Sequence, residues 1–250
     1  MKMKSVLTSL VFMTLLQFNL RAQTGTRPKD FSTPVTPALA NRYANDIKTT
    51  DFNGRPYQTL YPDAEGSPFF SDDLSYADLL LNKGATYQHV RVRLDLMNHE
   101  LHLINGGGNE IVAQSGLVLK VDMMDSVTGL LHYRFITGCP PVDQQDAYQF
   151  YQVLSDGRLQ LLLYTKKEFV EEKNSMSGEI RHLFKERSEM YTLRDGVIVK
   201  LKRDKDYILS LMGDKQAEVE AWLKTRKMNY KSNGMLSGLF DYYNSLVRPF

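Results

Sequence analysis

His99-Glu100-Leu101-His102 sets two histidines around a glutamate, the residue types with which zinc proteases hold a metal and activate water. That chemistry needs histidines four apart on a helix, so that one face presents both rings. Here they are three apart and lie between runs that alternate apolar with polar residues. In a strand, residues three apart point to opposite faces. The pattern instead predicts a hairpin with Asn98-His99 as its two turn residues. Met97 then faces Glu100, Leu96 faces Leu101, Asp95 faces His102 and Leu94 faces Leu103, which sets apolar opposite apolar and acid opposite histidine. Replacing His99 by Asn or Gly, which accept positive φ, is expected on this reading to be neutral or mildly stabilising.

The other reactive residue types are scattered. His89 and His102 share the polar side of neighbouring strands with Asp95 nearby, and with His132 such a group could ligate zinc. Histidines on a polar strand face ordinarily meet water, however, and His89, His99, His102, His132 and His182 show no ligand spacing. The expectation is no metal site and no cofactor. Cys139 is the single cysteine, so no disulfide forms within the chain. Before Pro140-Pro141 and without a local His or Asn to activate it, it reads as a small buried filler. The glycine-rich stretch Ile104–Asn109 lacks the spacing and the following helix of a phosphate loop, and reads as a hairpin connection. Asp72-Asp73 and Glu171-Glu172 are adjacent pairs that cannot oppose one another as acid and base. No serine sits in a G-x-S-x-G elbow. No catalytic residue is assigned, and the binding residues are left unknown.

The elements that must position these residues follow an N-terminal leader. Lys2 and Lys4 precede an apolar run from Val6 to Leu20, and Arg21-Ala22-Gln23 offers a small residue for cleavage after Ala22. Gln17 and Asn19 interrupt the run, which is short for a spanning helix; a cleaved signal over residues 1–22 is expected, with no transmembrane segment afterwards. The leader also carries Lys2, Lys4 and Arg21 and no acid. Of 31 basic residues 28 remain against 29 acidic ones, so bulk charge gives no reason to expect nucleic acid as a partner.

Residues 23–50 read as an extended Thr- and Pro-rich arm, with a short helix starting at Thr36-Pro37 and running to Ile47. An antiparallel β domain is expected over 51–203. Its strand runs are Tyr87–Leu96, Glu100–Ile104, Glu110–Ala113, Leu117–Met123, Leu130–Ile136, Tyr148–Leu154, Arg158–Tyr164, Glu189–Leu193 and Val197–Lys202. Asp156-Gly157 and Asp195-Gly196 mark two hairpin turns. Glu168–Arg187 is charged and reads as a solvated excursion or a long hairpin tip. Helical spacing then takes over from 204 to 250, with Asp204, Asp214 and Asn233 opening three helices. The fold class is α+β: a twisted antiparallel sheet, or an open barrel-like one, followed by two to three C-terminal helices packed on it.

Gly66–Asp73, Leu81–Tyr87, Arg93–Leu101 and Asp241–Leu246 together resemble an uncharacterised family of exported, β-rich proteins common in Bacteroidota. The resemblance spans roughly residues 51–247 and implies a periplasmic, envelope or extracellular location without naming a chemistry. The resulting expectation is a non-enzymatic envelope protein that binds an unknown envelope protein or a small ligand. The rivals are a small periplasmic hydrolase with its site on the polar sheet face, and an outer-membrane barrel. Against the barrel, counting back by twos from Phe250 meets Arg248 and Asn244.

Overall fold

Val90, Val92 and Leu94 alternate with Arg91, Arg93 and Asp95, and the structure buries the three apolar residues at 0%, 0% and 1% exposure. That is the period-two pattern of a strand with one face in a core. The computed structural model describes residues 47–57, 61 and 64–247. The leader and nearly all of the predicted arm and its helix lie outside those residues; Ile47, the last residue of that helix, is buried in the core.

Among the described residues, eleven antiparallel strands form one sheet: β1 (Arg55–Pro56), β2 (Ser75–Leu81), β3 (Thr86–Asp95), β4 (Glu100–Ile104), β5 (Glu110–Val112), β6 (Val118–Met124), β7 (Leu131–Ile136), β8 (Tyr151–Ser155), β9 (Gln160–Lys173), β10 (Ile180–Arg194) and β11 (Val197–Lys200). Their order across the sheet is β1-β5-β4-β3-β2-β6-β7-β8-β9-β10-β11, and the sheet is open. Three helices follow, α1 (Lys205–Leu211), α2 (Gln216–Lys224) and α3 (Asn233–Val247). The expected fold class is therefore the one observed.

The hairpin turns show why the chain reverses where it does. Arg194 pairs with Val197, leaving Asp195 and Gly196 as a two-residue turn with φ of 50° and 76°, the positive values a tight hairpin needs. Glu168–Arg187 is more regular than its charge suggested. It forms the outer half of the β9–β10 hairpin, in register from Gln160↔Leu193 to Lys173↔Ile180. Facing residues such as Glu172 with Arg181 and Glu171 with His182 put acid opposite base along the pair.

Three apolar clusters hold the described sheet. The first half packs Val92, Leu94, Leu101, Leu103, Val121 and Phe135 around Phe52. In the second half, α1–α3 cover one face, with Leu236, Leu239 and Phe240 against Leu159, Leu161 and Met190. The other face of the same strands buries Tyr151, Leu162, Tyr191 and Cys139. α1 is capped as expected, Asp204 accepting from the Tyr207 amide at 2.9 Å. Asp214 does not cap α2, whose preceding residue is Lys215. Its carboxylate instead accepts from the Tyr243 hydroxyl and from Arg158.

Residues 64–70 form a strap. Glu65 bridges Leu183 of β10, and Phe69 bridges Asp95 at the end of β3. The Phe70 amide donates to the Leu94 carbonyl and the Leu96 amide to the Pro68 carbonyl. The strap thus ties the early hairpin to the long late one.

Candidate functional site

The β3–β4 hairpin does not turn at two residues. Asp95 pairs with Glu100, Leu94 with Leu101, Arg93 with His102 and Val92 with Leu103, so the loop is the four residues Leu96–His99. The expected register is displaced by two, which keeps every residue on its expected face but moves its partner. The cause is local. The Asp95 carboxylate accepts from the amides of Met97 and Asn98 at 2.7 and 2.9 Å and from the Asn98 side chain at 2.9 Å, stabilising the wider loop. Arg93, not Asp95, is therefore opposite His102.

That register gathers Arg93, Asp95, Glu100 and His102 on one face. Ile104 pairs with Glu110, and Val112 with both His102 and Arg55, which adds Glu110 and Arg55 to the same face. This face was expected to be wet. Instead Asp95 is 3% exposed and His102 1%, because Tyr57 and the strap's Phe69 lie across them. The rings of Tyr57 and Phe69 meet the His102 ring edge-on, with centroids 4.6 and 5.1 Å away.

Two arginine–carboxylate pairs form at this face. Arg93 grips Glu110 with two bonds of 2.8 Å, and its guanidinium lies 3.7 Å from the Phe69 ring centroid. Arg55 holds both oxygens of Glu100, at 2.8 and 2.7 Å. His102 Nδ1 lies 2.9 Å from Glu110 Oε1. A carboxylate only accepts, so Nδ1 carries the proton, and in the neutral ring Nε2 presents a lone pair. Burial alone would raise the Glu110 carboxyl. Hydrogen bonds from His102 and Arg93, with the Arg93 charge, outweigh it and hold the group below the usual carboxylate range.

A cleft of about 170 Å³ runs along the strap, lined by Tyr57, Tyr61, Phe69, Arg93 and Phe184. A second one, of about 360 Å³, lies beside α1 and α2, where Lys205, Arg226, Met228 and Tyr230 surround Leu209 and Leu223.

The remaining histidines do not join the site. His132 and His182 are exposed, beside Asp125 and Glu171 respectively. His89 sits at an irregularity between β2 and β3, its amide donating to Asp78. His99 has the expected positive φ but is buried, with Nδ1 accepting from the Phe150 amide and its ring stacked on Tyr164. Cys139 is buried, and desolvation lifts its thiol to about 11. Sequence reasoning did not single out Arg55, Tyr57, Arg93 or Glu110. The mixture of charge signs at Arg93, Asp95, Glu100 and His102 was visible, but alternation cannot say whether a polar face meets water or another segment.

Comparison with protein-family models, with curated proteins and with solved structures gave no match. Among the described residues, no helix is long and apolar enough to cross a membrane.

Proposed function

We propose that this protein is exported to the cell envelope, in the periplasm or beyond it, and acts there by binding a protein or small ligand rather than by turning over a substrate. The ring-lined cleft along the strap carries the reading. Tyr57, Tyr61, Phe69 and Phe184 offer aromatic surface, and Arg93 adds a guanidinium already fixed by Glu110, so recognition needs little reordering of side chains. Aromatic residues and arginine are the side chains most enriched where binding energy concentrates. The leader over residues 1–22 supports export, and the resemblance to exported β-rich proteins of Bacteroidota points the same way.

The hydrolase alternative has its best footing in the His102–Glu110 pair, since a carboxylate that orients a histidine is a common setting for a general base. No serine or cysteine hydroxyl or thiol bonds that histidine among the described residues, which favours the binding reading. A spanning barrel needs a closed sheet, and the described sheet is open.

Photo-crosslinking in the native cell tests the binding reading. A photoreactive residue in place of Tyr61 should capture one reproducible adduct, which Phe184→Ala reduces. Adduct formation no greater than from a probe at Tyr207 would overturn it.

A further inference from the structure

Asp95, Glu100 and His102 each bring one ligating atom to within 4.8 Å of the other two. The separation of ligand atoms in a tetrahedral zinc shell is about 3.4 Å, from metal–ligand bonds of about 2.0–2.1 Å. Small side-chain rotations therefore close the gap. Two carboxylates alone would say little, but the imidazole adds an independent observation. His102 is 1% exposed, and its Nε2 has no hydrogen-bond partner among the described residues. Leaving a buried polar atom unmatched costs free energy, so such an atom calls for an explanation.

The surroundings prepare that nitrogen as a ligand. Glu110 accepts from Nδ1, which fixes the tautomer with its lone pair at Nε2 and the orientation of the ring. A carboxylate behind a histidine is the usual support of a metal-ligating imidazole. Asp95 is held in place by the amides of Met97 and Asn98, so its orientation is set before any ion arrives. Arg55 holds Glu100 but is itself well exposed, at 61% of its side chain, and an exposed ion pair gives way at little cost.

We propose that Asp95, Glu100 and His102 form a site for one divalent transition-metal ion, zinc being the best match. One imidazole with two carboxylates suits zinc, manganese or iron over the all-oxygen shells of magnesium and calcium. Three protein ligands also leave a fourth position for water or an external ligand. The proposal reverses the expectation drawn from histidine spacing, and it stands apart from the binding reading: either can fail alone.

The test titrates the purified protein, stripped with chelator, with Zn²⁺ and separately with Mg²⁺, following heat and metal content per chain. One equivalent of Zn²⁺ should bind and Mg²⁺ should not compete. Co²⁺ in place of zinc should give the visible d–d bands of an ion in a low-symmetry nitrogen–oxygen shell. Glu100→Gln and Asp95→Asn each keep a hydrogen-bond acceptor for Arg55 or the loop amides, and each should weaken zinc binding about tenfold or more. Melting temperatures without metal show whether each variant has kept its fold; if Asp95→Asn has not, Glu100→Gln decides. The double variant His132→Asn/His182→Asn, which removes the two exposed histidines, should bind zinc as the parent does. Absence of saturable zinc binding, loss of it in that double variant, or full affinity in Glu100→Gln would each overturn the proposal.

Discussion

His99 holds a left-handed backbone with φ of 53° at the end of the β3–β4 loop while its ring is buried against Tyr164. Because Nδ1 accepts the Phe150 amide, the ring must stay neutral, and burial, helped by the nearby Lys166 charge, lowers its pKa to about 4. The unfolded chain binds this proton near pH 6.5, so the unfolded state takes up protons first as pH falls. The associated stability is complete above pH 6.5 and is lost progressively as pH drops towards 4, on the order of 3 kcal/mol in all. Denaturant melts in chelator should show this slope, and His99→Asn should flatten it. His99→Gly tolerates the backbone but loses the stack and the acceptor for Phe150. It is now expected to destabilise by about 1–3 kcal/mol rather than to be neutral. Positive φ at His99 was legible from its place in the turn. Its burial was not, because the partner ring comes from β9, 65 residues away in sequence. Cys139 belongs to the same scale: a thiol lifted to about 11 is almost wholly protonated at pH 8, so alkylation of the folded protein should be slow and should speed up sharply on unfolding.

Strands and helices meet at a few specific contacts. Asn244 of α3 is 1% exposed; its oxygen accepts the Leu159 amide at 3.1 Å, and its amide donates to the Leu159 carbonyl at 3.0 Å. Gly157, in the turn just before, has φ of 146°, and a Cβ there would lie 2.6 Å from Asn244 Cγ. Asn244→Ala should cost about 1–3 kcal/mol by stranding the Leu159 backbone groups, and Gly157→Ala should destabilise through both strain and collision. Calorimetric melts of the two variants check this. On β3, Leu94→Ala should cost about 2–5 kcal/mol in denaturant unfolding, as for a well-buried leucine. The Asp-Gly turns, the period-two strands and the Asp204 cap were legible because each depends on neighbours in sequence. The β3–β4 register was not, since the Asp95 side chain widens the loop without disturbing the alternation. β2 was blurred by the run Leu79-Leu80-Leu81, which hides alternation at Ala77, Leu79 and Leu81.

At the scale of the whole molecule, the fold class was legible because strand periodicity gives way to helical periodicity at one place, near residue 204. The polar site was not, since it depends on the strap crossing a face that alternation marks as wet. The proposed export makes a direct prediction: protein recovered from the envelope fraction should begin near Gln23, and an intact Met1 in a carbonate-resistant pellet would count against it. The outermost strands have one more consequence. β1 is two residues long and contains Pro56, which has no amide hydrogen to give, whereas β11 carries exposed Val197 and Val199 along its free margin. Fibrils that lengthen by strand addition need a receptive margin at both sides of every subunit. Among the described strands one margin is blunted and one receptive, so backbone pairing between copies terminates once two β11 margins have met. Sedimentation at high concentration should accordingly show nothing larger than a pair, and Lys200→Pro, which removes an amide that points away from β10, should remove even that.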